Sequence, residues 1–347
     1  MNGLSLITQL LGFLDALKGG RLSKACGLET EYRGGSMKSL GIALGGGGLK
    51  GMAHIGVLQV LQENGVKPQY ISGTSAGSII AALYASGISP YQMESLALNL
   101  KSTDYLDYNV IGFFQYLLGL VCPFYDAPPL EGIILGNKLE KMVFELTAGR
   151  RLDEAELPLT IVACDIDSGQ KVVFTNQDME IERSDVVVIR DALISTAVRG
   201  SISIPVTFVP KDFAGIQMVD GGLKEIVPAS MGKVMGADYV LSVNLGQEMY
   251  DTKVEGIPQI ISRTLNILTF ETSEAEEEIY SDMILFPGVQ GVPLDDTEAI
   301  AKNIRAGRRV MKENIKKLKK QLGYDDPHQR ASASRGSQHT GSAGPKL

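Results

Sequence analysis

A serine flanked by glycines is the first feature of this sequence that could carry chemistry. Ser75 follows a short apolar segment and precedes an alanine-rich one, with Gly73 and Gly77 two positions away on either side. This is the nucleophile-elbow pattern, in which a serine occupies a sharp turn between a strand and a helix and larger flanking side chains would clash. The hydroxyl then stands at a helix N-terminus, where the helix dipole favours developing negative charge. The pattern predicts Ser75 as a nucleophile.

A second glycine-rich segment, GGGGLKG at residues 45–51, lies upstream of the elbow. Gly46, Gly48 and Gly51 match the dinucleotide fingerprint, but the next predicted strand ends without the acidic residue that would bind a ribose. A phosphate-binding loop fails as well, because Lys50 is not followed by serine or threonine. Consecutive glycines let backbone amides converge on one point. We therefore interpret the loop as an oxyanion hole, in which one donor is worth about 2.7–4 kcal/mol in the transition state.

The positions of the histidines in the sequence argue against a histidine as the group that activates Ser75. A Ser-His-Asp triad needs an imidazole, but the histidines are His54, early in a predicted helix, and His328 and His339, beside or within a polar C-terminal tail. His54 is interpreted as a packing or capping residue. Either Ser75 is not catalytic, or a carboxylate activates it directly.

Two aspartates are candidates for that carboxylate, Asp220 and Asp165. Asp220 ends an extended segment and is followed by Gly221 and Gly222, so it can be held close to another part of the backbone. An Asp-Gly-Gly sequence by itself usually indicates only a turn. It supports a catalytic role here because the serine elbow and the glycine loop are present in the same chain. Its glycine flank makes Asp220 the preferred candidate.

Alternating strand and helix patterns supply the frame for these motifs. Apolar runs predict strands, and helical spacing predicts helices after the glycine loop and after the elbow. The strands are predicted at residues 39–44, 69–72, 159–164, 171–175, 215–219 and 237–243, and the helices at 52–63, 77–86, 185–198 and 299–322. This alternation predicts an α/β fold with a mainly parallel central sheet flanked by helices.

One large domain, residues 38–323, is predicted between two extensions. Residues 1–37 form an N-terminal extension, partly helical, whose segment 4–17 fits either a helix packed on the domain or an interfacial lipid contact. Residues 324–347 are rich in Ser, Gly and Ala and predict a disordered tail.

Residues 100–158 interrupt the alternation and are predicted as a helical, apolar insertion that covers one end of the sheet. Two interpretations of its segment 110–121 are open: an acyl chain lies there, or a helix packs on the core. The basic amphipathic helix 299–322 also allows two interpretations, because its basic face is either solvated or in contact with anionic headgroups.

Composition limits the partners and the compartment. The net charge of −7 argues against nucleic acid, because phosphate neutralisation needs clustered Lys and Arg. The three cysteines, Cys26, Cys122 and Cys164, lack disulfide or metal-site spacing and favour a reducing compartment. No apolar run has the length of a membrane span and no secretory signal is evident. We expect a cytoplasmic protein that binds no metal. Peripheral contact with a membrane is an open alternative.

The three motifs together resemble the patatin-like phospholipase family, in particular its small bacterial members. The resemblance extends roughly from Leu40 to Leu245 and includes the segments 163–169, 198–205 and 236–238. It implies a three-layer α/β/α fold, Ser75 as nucleophile and Asp220 as base. It also implies that the backbone amides of Gly46, Gly47, Gly48 and Ala76 form an oxyanion hole and that Lys50 is the basic residue of the glycine loop. No cofactor is implied.

The function expected from this resemblance is hydrolysis of fatty-acyl esters of phospholipids, lysophospholipids or related lipids, with release of free fatty acid. An acyltransferase could use the same serine and oxyanion hole. A non-catalytic lipid-binding module is a further alternative, and a nucleotide-binding protein ranks last because the glycine loop lacks its acidic partner.

Overall fold

The computed structural model describes residues 37–122, 124–179, 181, 183–246, 253–289 and 293–324. The predicted helix at 4–17, the remainder of the N-terminal extension up to residue 36 and the predicted tail after residue 324 lie outside the described residues.

A mixed, mostly parallel sheet is the centre of the fold. Within the described residues the strands are β1 (Leu40–Leu44), β2 (Tyr70–Thr74), β3 (Gly132–Ile134), β4 (Leu159–Asp165), β5 (Lys171–Thr175), β6 (Val186–Ile189), β7 (Val206–Phe208), β8 (Lys211–Phe213), β9 (Ile216–Asp220), β10 (Tyr239–Val243) and β11 (Met283–Leu285). The sheet order is β11-β10-β1-β2-β4-β5-β6, and β9 joins β4 and β8 as an antiparallel branch. β3 and β7 pair with each other outside this sheet.

Helices cover the sheet and extend from its ends. They are α1 (Met52–Glu63), α2 (Ala76–Ala85), α3 (Pro90–Leu98), α4 (Ser102–Tyr105), α5 (Val110–Val121), α6 (Asn137–Leu146), α7 (Ile194–Ser201), α8 (Ala229–Val234), α9 (Gly256–Tyr280) and α10 (Ala299–Leu322). A short 3-10 turn forms the second half of the glycine loop at Gly48–Gly51, and another follows Asp220 at Gly221–Leu223.

Strands β1, β4, β5 and β10 bury every residue, so both faces of the sheet are covered there, as a layered α/β sheet requires. In β1, Leu40, Ile42 and Leu44 join the main apolar core with α1 and α10, whereas Ala43 joins a separate cluster with Ala229 of α8. Side chains at alternate positions of a strand point to opposite faces. Helices therefore lie on both sides of the sheet, which confirms the three-layer α/β/α architecture.

The prediction of a helix across residues 185–198 is wrong for its first half. Residues 186–189 form β6, which pairs parallel to β5, and α7 begins only at Ile194. The run Val186-Val187-Val188-Ile189 consists of β-branched residues, whose restricted χ1 angles favour a strand over a helix. The prediction of a helix at 299–322 is confirmed as α10, whose apolar residues Ile304, Met311, Ile315, Leu318 and Leu322 are buried.

Candidate active site

The serine elbow has the strained geometry that its glycine spacing predicts. Ser75 has φ 52° and ψ −123° between β2 and α2, a left-handed conformation that an L-residue adopts only when its surroundings impose it. A Cβ on Gly73 would lie 2.5 Å from the carbonyl oxygen of Gly77, and one on Gly77 would lie 2.0 Å from that of Leu44. Glycine is therefore required at both flanking positions because any side chain would clash with backbone.

The backbone amide of Ser75 is held by a residue that the sequence analysis did not single out. It donates a 2.8 Å hydrogen bond to Oγ of Ser201, at the end of α7, and the Ser201 hydroxyl donates in turn to the carbonyl of Val162 in β4. Ser201 thus ties the strained turn to the adjacent strand. It lies in the segment 198–205 that carried part of the family resemblance, but no general pattern distinguishes it from any other buried serine.

Asp220 reaches Ser75 through the branch in the sheet. Strand β2 runs parallel to β4 and ends with Thr74 opposite Val162, whereas β9 runs antiparallel to β4 and ends with Asp220 opposite Ala163. The two strands thus approach each other along the same side of β4. The Ser75 hydroxyl, directly after β2, is close enough to the Asp220 carboxylate to stabilise its anionic form, and both residues line the same cavity.

Burial sets the protonation behaviour of Asp220. Desolvation raises its pKa from 3.8 to about 6, and hydrogen bonds from the Ser75 hydroxyl and the Gly222 amide oppose that rise by stabilising the anion. The Gly222 amide lies 2.7 Å from Oδ1 of Asp220 and fixes the orientation of the carboxylate. A Cβ on Gly221 would lie 2.1 Å from the carbonyl oxygen of Val162, so the glycine lets β9 end close against β4.

The other candidate carboxylate and the nearest histidine are engaged elsewhere. The carboxylate of Asp165 accepts hydrogen bonds from the Ser168 hydroxyl and from the Asp167 amide, which closes the turn after β4. His54 is fully buried in α1, its Nε2 lies 2.8 Å from the carbonyl oxygen of Gly45, and desolvation lowers its pKa to about 4. It is a neutral packing residue under the glycine loop, as interpreted from the sequence.

The glycine loop borders Ser75 but does not offer every predicted amide. The Gly46 amide donates a 2.9 Å hydrogen bond to the carbonyl of Ile226, so the prediction that Gly46 supplies an oxyanion donor does not agree with this structure. Its role is steric, because a Cβ there would lie 3.1 Å from Cβ of Ser75. Among the described residues, the amides of Gly47, Gly48 and Ala76 donate to no backbone carbonyl. These three remain the candidate donors.

Lys50 ties the glycine loop to the segment that follows β10. Its Nζ donates a 2.7 Å hydrogen bond to the carbonyl oxygen of Leu245, just after β10, and burial lowers its pKa. Gly47, with φ 154°, and Gly48, with φ 57°, adopt conformations that favour glycine. The lysine thus fixes the position of a loop that has little conformational preference of its own.

Ser75 lies where two cavities meet. The larger, about 550 Å³, is lined by the glycine loop, Ser75, Asp220 and polar residues that include Asn244 and Asn266. Its volume falls in the range typical of small-molecule sites. Among the described residues, no cluster of three or more His, Cys, Asp or Glu side chains could hold a metal ion.

The smaller cavity, about 100 Å³, is almost entirely apolar and also opens onto Ser75. The insertion 100–158 and the segment after α7 supply about half of its lining residues, with Leu100, Tyr105, Leu106, Leu139, Met142, Ile202, Ile204 and Phe208, and the glycine loop with the starts of α1 and α2 supplies most of the rest. Residues 110–121 do not take part, and α5 has no buried residue. Neither interpretation of that segment, acyl-chain site or core packing, therefore agrees with the structure.

Comparison with known proteins identifies the family to which these features correspond. The model of the family described as patatin-like phospholipase matches residues 42–232, which include the glycine loop, the elbow and Asp220. An uncharacterised NTE family protein of Mycobacterium tuberculosis is 27% identical over 243 residues, which is 70% of this chain and 59% of the relative. The human patatin-like phospholipase domain-containing protein 6 is 26% identical over 215 residues, 60% of this chain and 14% of that protein. The chain thus spans only part of the length of these relatives.

Solved structures that resemble this chain include human GIVD cytosolic phospholipase A2 and VipD from Legionella pneumophila. The first has a TM-score of 0.44 at 13% identity, covering 82% of this chain and 59% of the other. The second has a TM-score of 0.40 at 13% identity, covering 80% of this chain and 66% of the other.

Proposed function

This chain belongs to the patatin-like phospholipase family, and on that basis we propose that it is a serine hydrolase that cleaves fatty-acyl esters of lipids with Ser75 as nucleophile and Asp220 as base. The observation that carries the proposal is the proximity of the Ser75 hydroxyl, which lines both cavities, to the buried Asp220 carboxylate, whose anionic form it stabilises. A nucleophile in contact with a base is the arrangement that covalent acyl transfer requires.

The proposed reaction has two steps with balanced proton transfers. Asp220 accepts the Ser75 proton as Oγ attacks the acyl carbonyl carbon, and the resulting oxyanion receives hydrogen bonds from the amides of Gly47, Gly48 and Ala76. The ester bond breaks and the leaving alcohol takes the proton from Asp220. Asp220 then deprotonates a water molecule that attacks the acyl-enzyme, and the proton returns to Ser75 as the fatty acid leaves.

The two cavities suggest how an ester of a lipid would lie across Ser75. The apolar cavity suits the acyl chain because it offers almost no polar surface. The larger cavity, with amide side chains from Asn244 and Asn266, suits the polar leaving group. The proposed substrates are accordingly phospholipids, lysophospholipids or related lipid esters.

The experiment that tests the proposal compares variants of the full chain on a soluble p-nitrophenyl ester and on lysophospholipid. Ser75→Ala and Asp220→Asn should each abolish hydrolysis while the far-UV circular dichroism spectrum is unchanged. A fluorophosphonate probe should label the wild type and leave Ser75→Ala unlabelled. Product analysis with an added alcohol acceptor separates hydrolysis from acyl transfer.

The matched control is His54→Ala, which removes the histidine nearest the glycine loop. It should retain a substantial fraction of the activity per folded molecule, because His54 contacts Gly45 and makes no hydrogen bond to Ser75. If the histidine variant were as inactive as Ser75→Ala, the two-residue mechanism would be wrong.

A further inference from the structure

Helix α5 has its polar and apolar sides reversed relative to a helix of a water-soluble domain. Its least exposed residues are Gly112, Gln115 and Gly119, which share one face because they are spaced at i, i+3 and i+7. Every apolar residue of the helix is exposed; these are Val110, Ile111, Phe113, Phe114, Tyr116, Leu117, Leu118, Leu120 and Val121. Ile111 is 75% exposed, and Phe124, just beyond the helix, is 98% exposed.

The segment around α5 carries no charge. Between residues 108 and 125 the sequence contains no Asp, Glu, Lys, Arg or His. Exposed apolar patches of this kind on a soluble domain mark an interaction surface. Electrostatic attraction cannot contribute to binding by this segment, so any partner must be held by apolar burial.

This segment is attached at the mouth of the larger cavity. Tyr108 bridges to Ile134 of β3, and β3 pairs with β7 through Gly132 and Val206. The neighbours of Val206 along the chain, Pro205 and Thr207, line the larger cavity. Backbone pairing through β3 and β7 therefore joins α5 to residues that line the cavity that holds Ser75.

A second apolar segment borders the same cavity. The N-terminal part of α9 lines it with Ser262, Leu265 and Asn266, whereas Ile257 and Ile260 of the same helix are exposed. Residues 256–270 contain a single charged residue, Arg263. Two low-charge segments thus flank one opening.

We propose that α5, with Phe124, is the element that docks this protein on a lipid bilayer, lying in the interface with its apolar residues among the acyl chains. A protein groove would cover one side of the helix and leave the rest of its apolar surface in water, whereas a bilayer covers all of the sides that face away from the domain. The helix has 12 residues, about 18 Å in length, too short for the about 30 Å of a hydrocarbon core. No helix within the described ranges combines the length and apolar character needed to cross a membrane.

Docking in this orientation brings the cavity opening to the membrane surface, where a lipid ester is found. The purpose of the contact rests on the proposed function, but the contact itself does not. Because α5 is uncharged, binding should occur on neutral phosphatidylcholine vesicles and should change little with salt.

Fluorescence can test this directly because the chain has no tryptophan. Phe114→Trp in a Ser75→Ala background places a single reporter on α5 without hydrolysis of the vesicles, and Val234→Trp places one on α8, where Val234 is 44% exposed. Neutral vesicles should shift the emission at position 114 to shorter wavelength, and brominated acyl chains should quench it. The emission at position 234 should not change. Absence of the shift at position 114 would overturn the proposal.

Charge variants test whether the contact is required for binding. Phe114→Asp should lower vesicle binding by about tenfold or more, because burying a phenylalanine side chain contributes about 1.5–3 kcal/mol, while Val234→Asp should bind as the wild type does. Binding limited to anionic vesicles, or a dimer that Phe114→Asp dissociates without any vesicle binding, would also overturn the proposal.

The same variants separate this inference from the proposed function. Phe114→Asp should hydrolyse a soluble short-chain ester as the wild type does, because Phe114 lines neither cavity. Vesicle binding through α5 without any ester hydrolysis would refute the proposed function and leave the docking surface intact. Hydrolysis of the soluble ester with unchanged vesicle binding by Phe114→Asp would refute only the docking surface.

Discussion

Thr74 and Asp220 pair with neighbouring residues of β4, Val162 and Ala163, although their strands run in opposite directions. Ser75 directly follows Thr74, so the ends of the two strands bring its hydroxyl to the Asp220 carboxylate. The geometry of this pair depends on sheet hydrogen bonds, whose positions are fixed more tightly than those of loops. The proposed nucleophile and base, held in this way, need little reorganisation before reaction.

The pH dependence of activity should report the buried carboxylate. A base must be ionised to accept the Ser75 proton, and burial raises the pKa of Asp220 to about 6. We expect kcat/KM for a soluble ester to rise with pH through an apparent pKa near 6, so that the value at pH 5 is about a tenth of the plateau. A profile already flat above pH 5 would show that Asp220 is not the titrating base.

Asp220→Asn should also change how stability depends on pH. The folded pKa of Asp220 lies above its unfolded value of 3.8, so the folded state binds more protons between about pH 4 and 6. The stabilising contribution is therefore present below pH 4 and is lost as pH rises through 6. Relative to the wild type, the Asn variant should gain about 2–2.5 kcal/mol between pH 4 and pH 7. Urea unfolding of both proteins at the two pH values measures this, and other titrating groups such as His54 cancel in the difference. A difference independent of pH would contradict the raised pKa.

The motifs could be recognised from the sequence because their residue types follow from local sterics. A side chain on Gly73 would strike the backbone of Gly77 within the same strand–turn–helix unit, and one on Gly77 would strike the backbone of Leu44 at the end of β1. The resulting glycine spacing is visible in a short stretch of sequence. The limits of α10 were likewise predictable, because its apolar residues recur with helical spacing over the whole helix.

Features that depend on distant partners could not be predicted in this way. The sequence identified Asp220 as a candidate, but the antiparallel approach of β9 to β4 depends on pairing between segments far apart in the chain. The hydrogen bond from the Gly46 amide to the Ile226 carbonyl and the one from the Ser75 amide to the Ser201 hydroxyl likewise join residues that are far apart in the chain. The apolar sequence of α5 predicted that the helix would be buried. Its exposure depends on which other elements pack against it, and the spacing of apolar residues does not show this.

Ser201→Ala should reduce catalysis by loosening the elbow. The change removes the acceptor for the Ser75 amide and the donor to the Val162 carbonyl, and leaves two buried polar groups unpaired. Each unpaired group costs about 1–3 kcal/mol, and the strained turn at Ser75 loses its support. We expect kcat to fall by about ten- to a hundredfold with little change in KM, because Ser201 lines neither cavity.

The matched control for this variant is Ser195→Ala, which removes a buried hydroxyl from the same helix α7 at a distance from the elbow. It should keep the wild-type kcat. Equal losses of kcat in the two variants would mean that α7 tolerates no loss of a hydroxyl, and the positioning role of Ser201 would be refuted.

Met142→Ala should shift the preferred acyl-chain length if the apolar cavity holds the chain. Met142 lies on α6 and forms part of the cavity wall, so its truncation lengthens the space beyond Ser75. In a series of p-nitrophenyl esters, kcat/KM for the longer chains should rise several-fold relative to the butyrate, because each methylene transferred from water to an apolar wall contributes about 0.8 kcal/mol. Met93→Ala removes an equivalent side chain that is buried in α3 and lines neither cavity. It should lower the unfolding temperature without changing the order of preference. The same shift in both variants would show that chain length is set by global loosening of the core and not by this cavity.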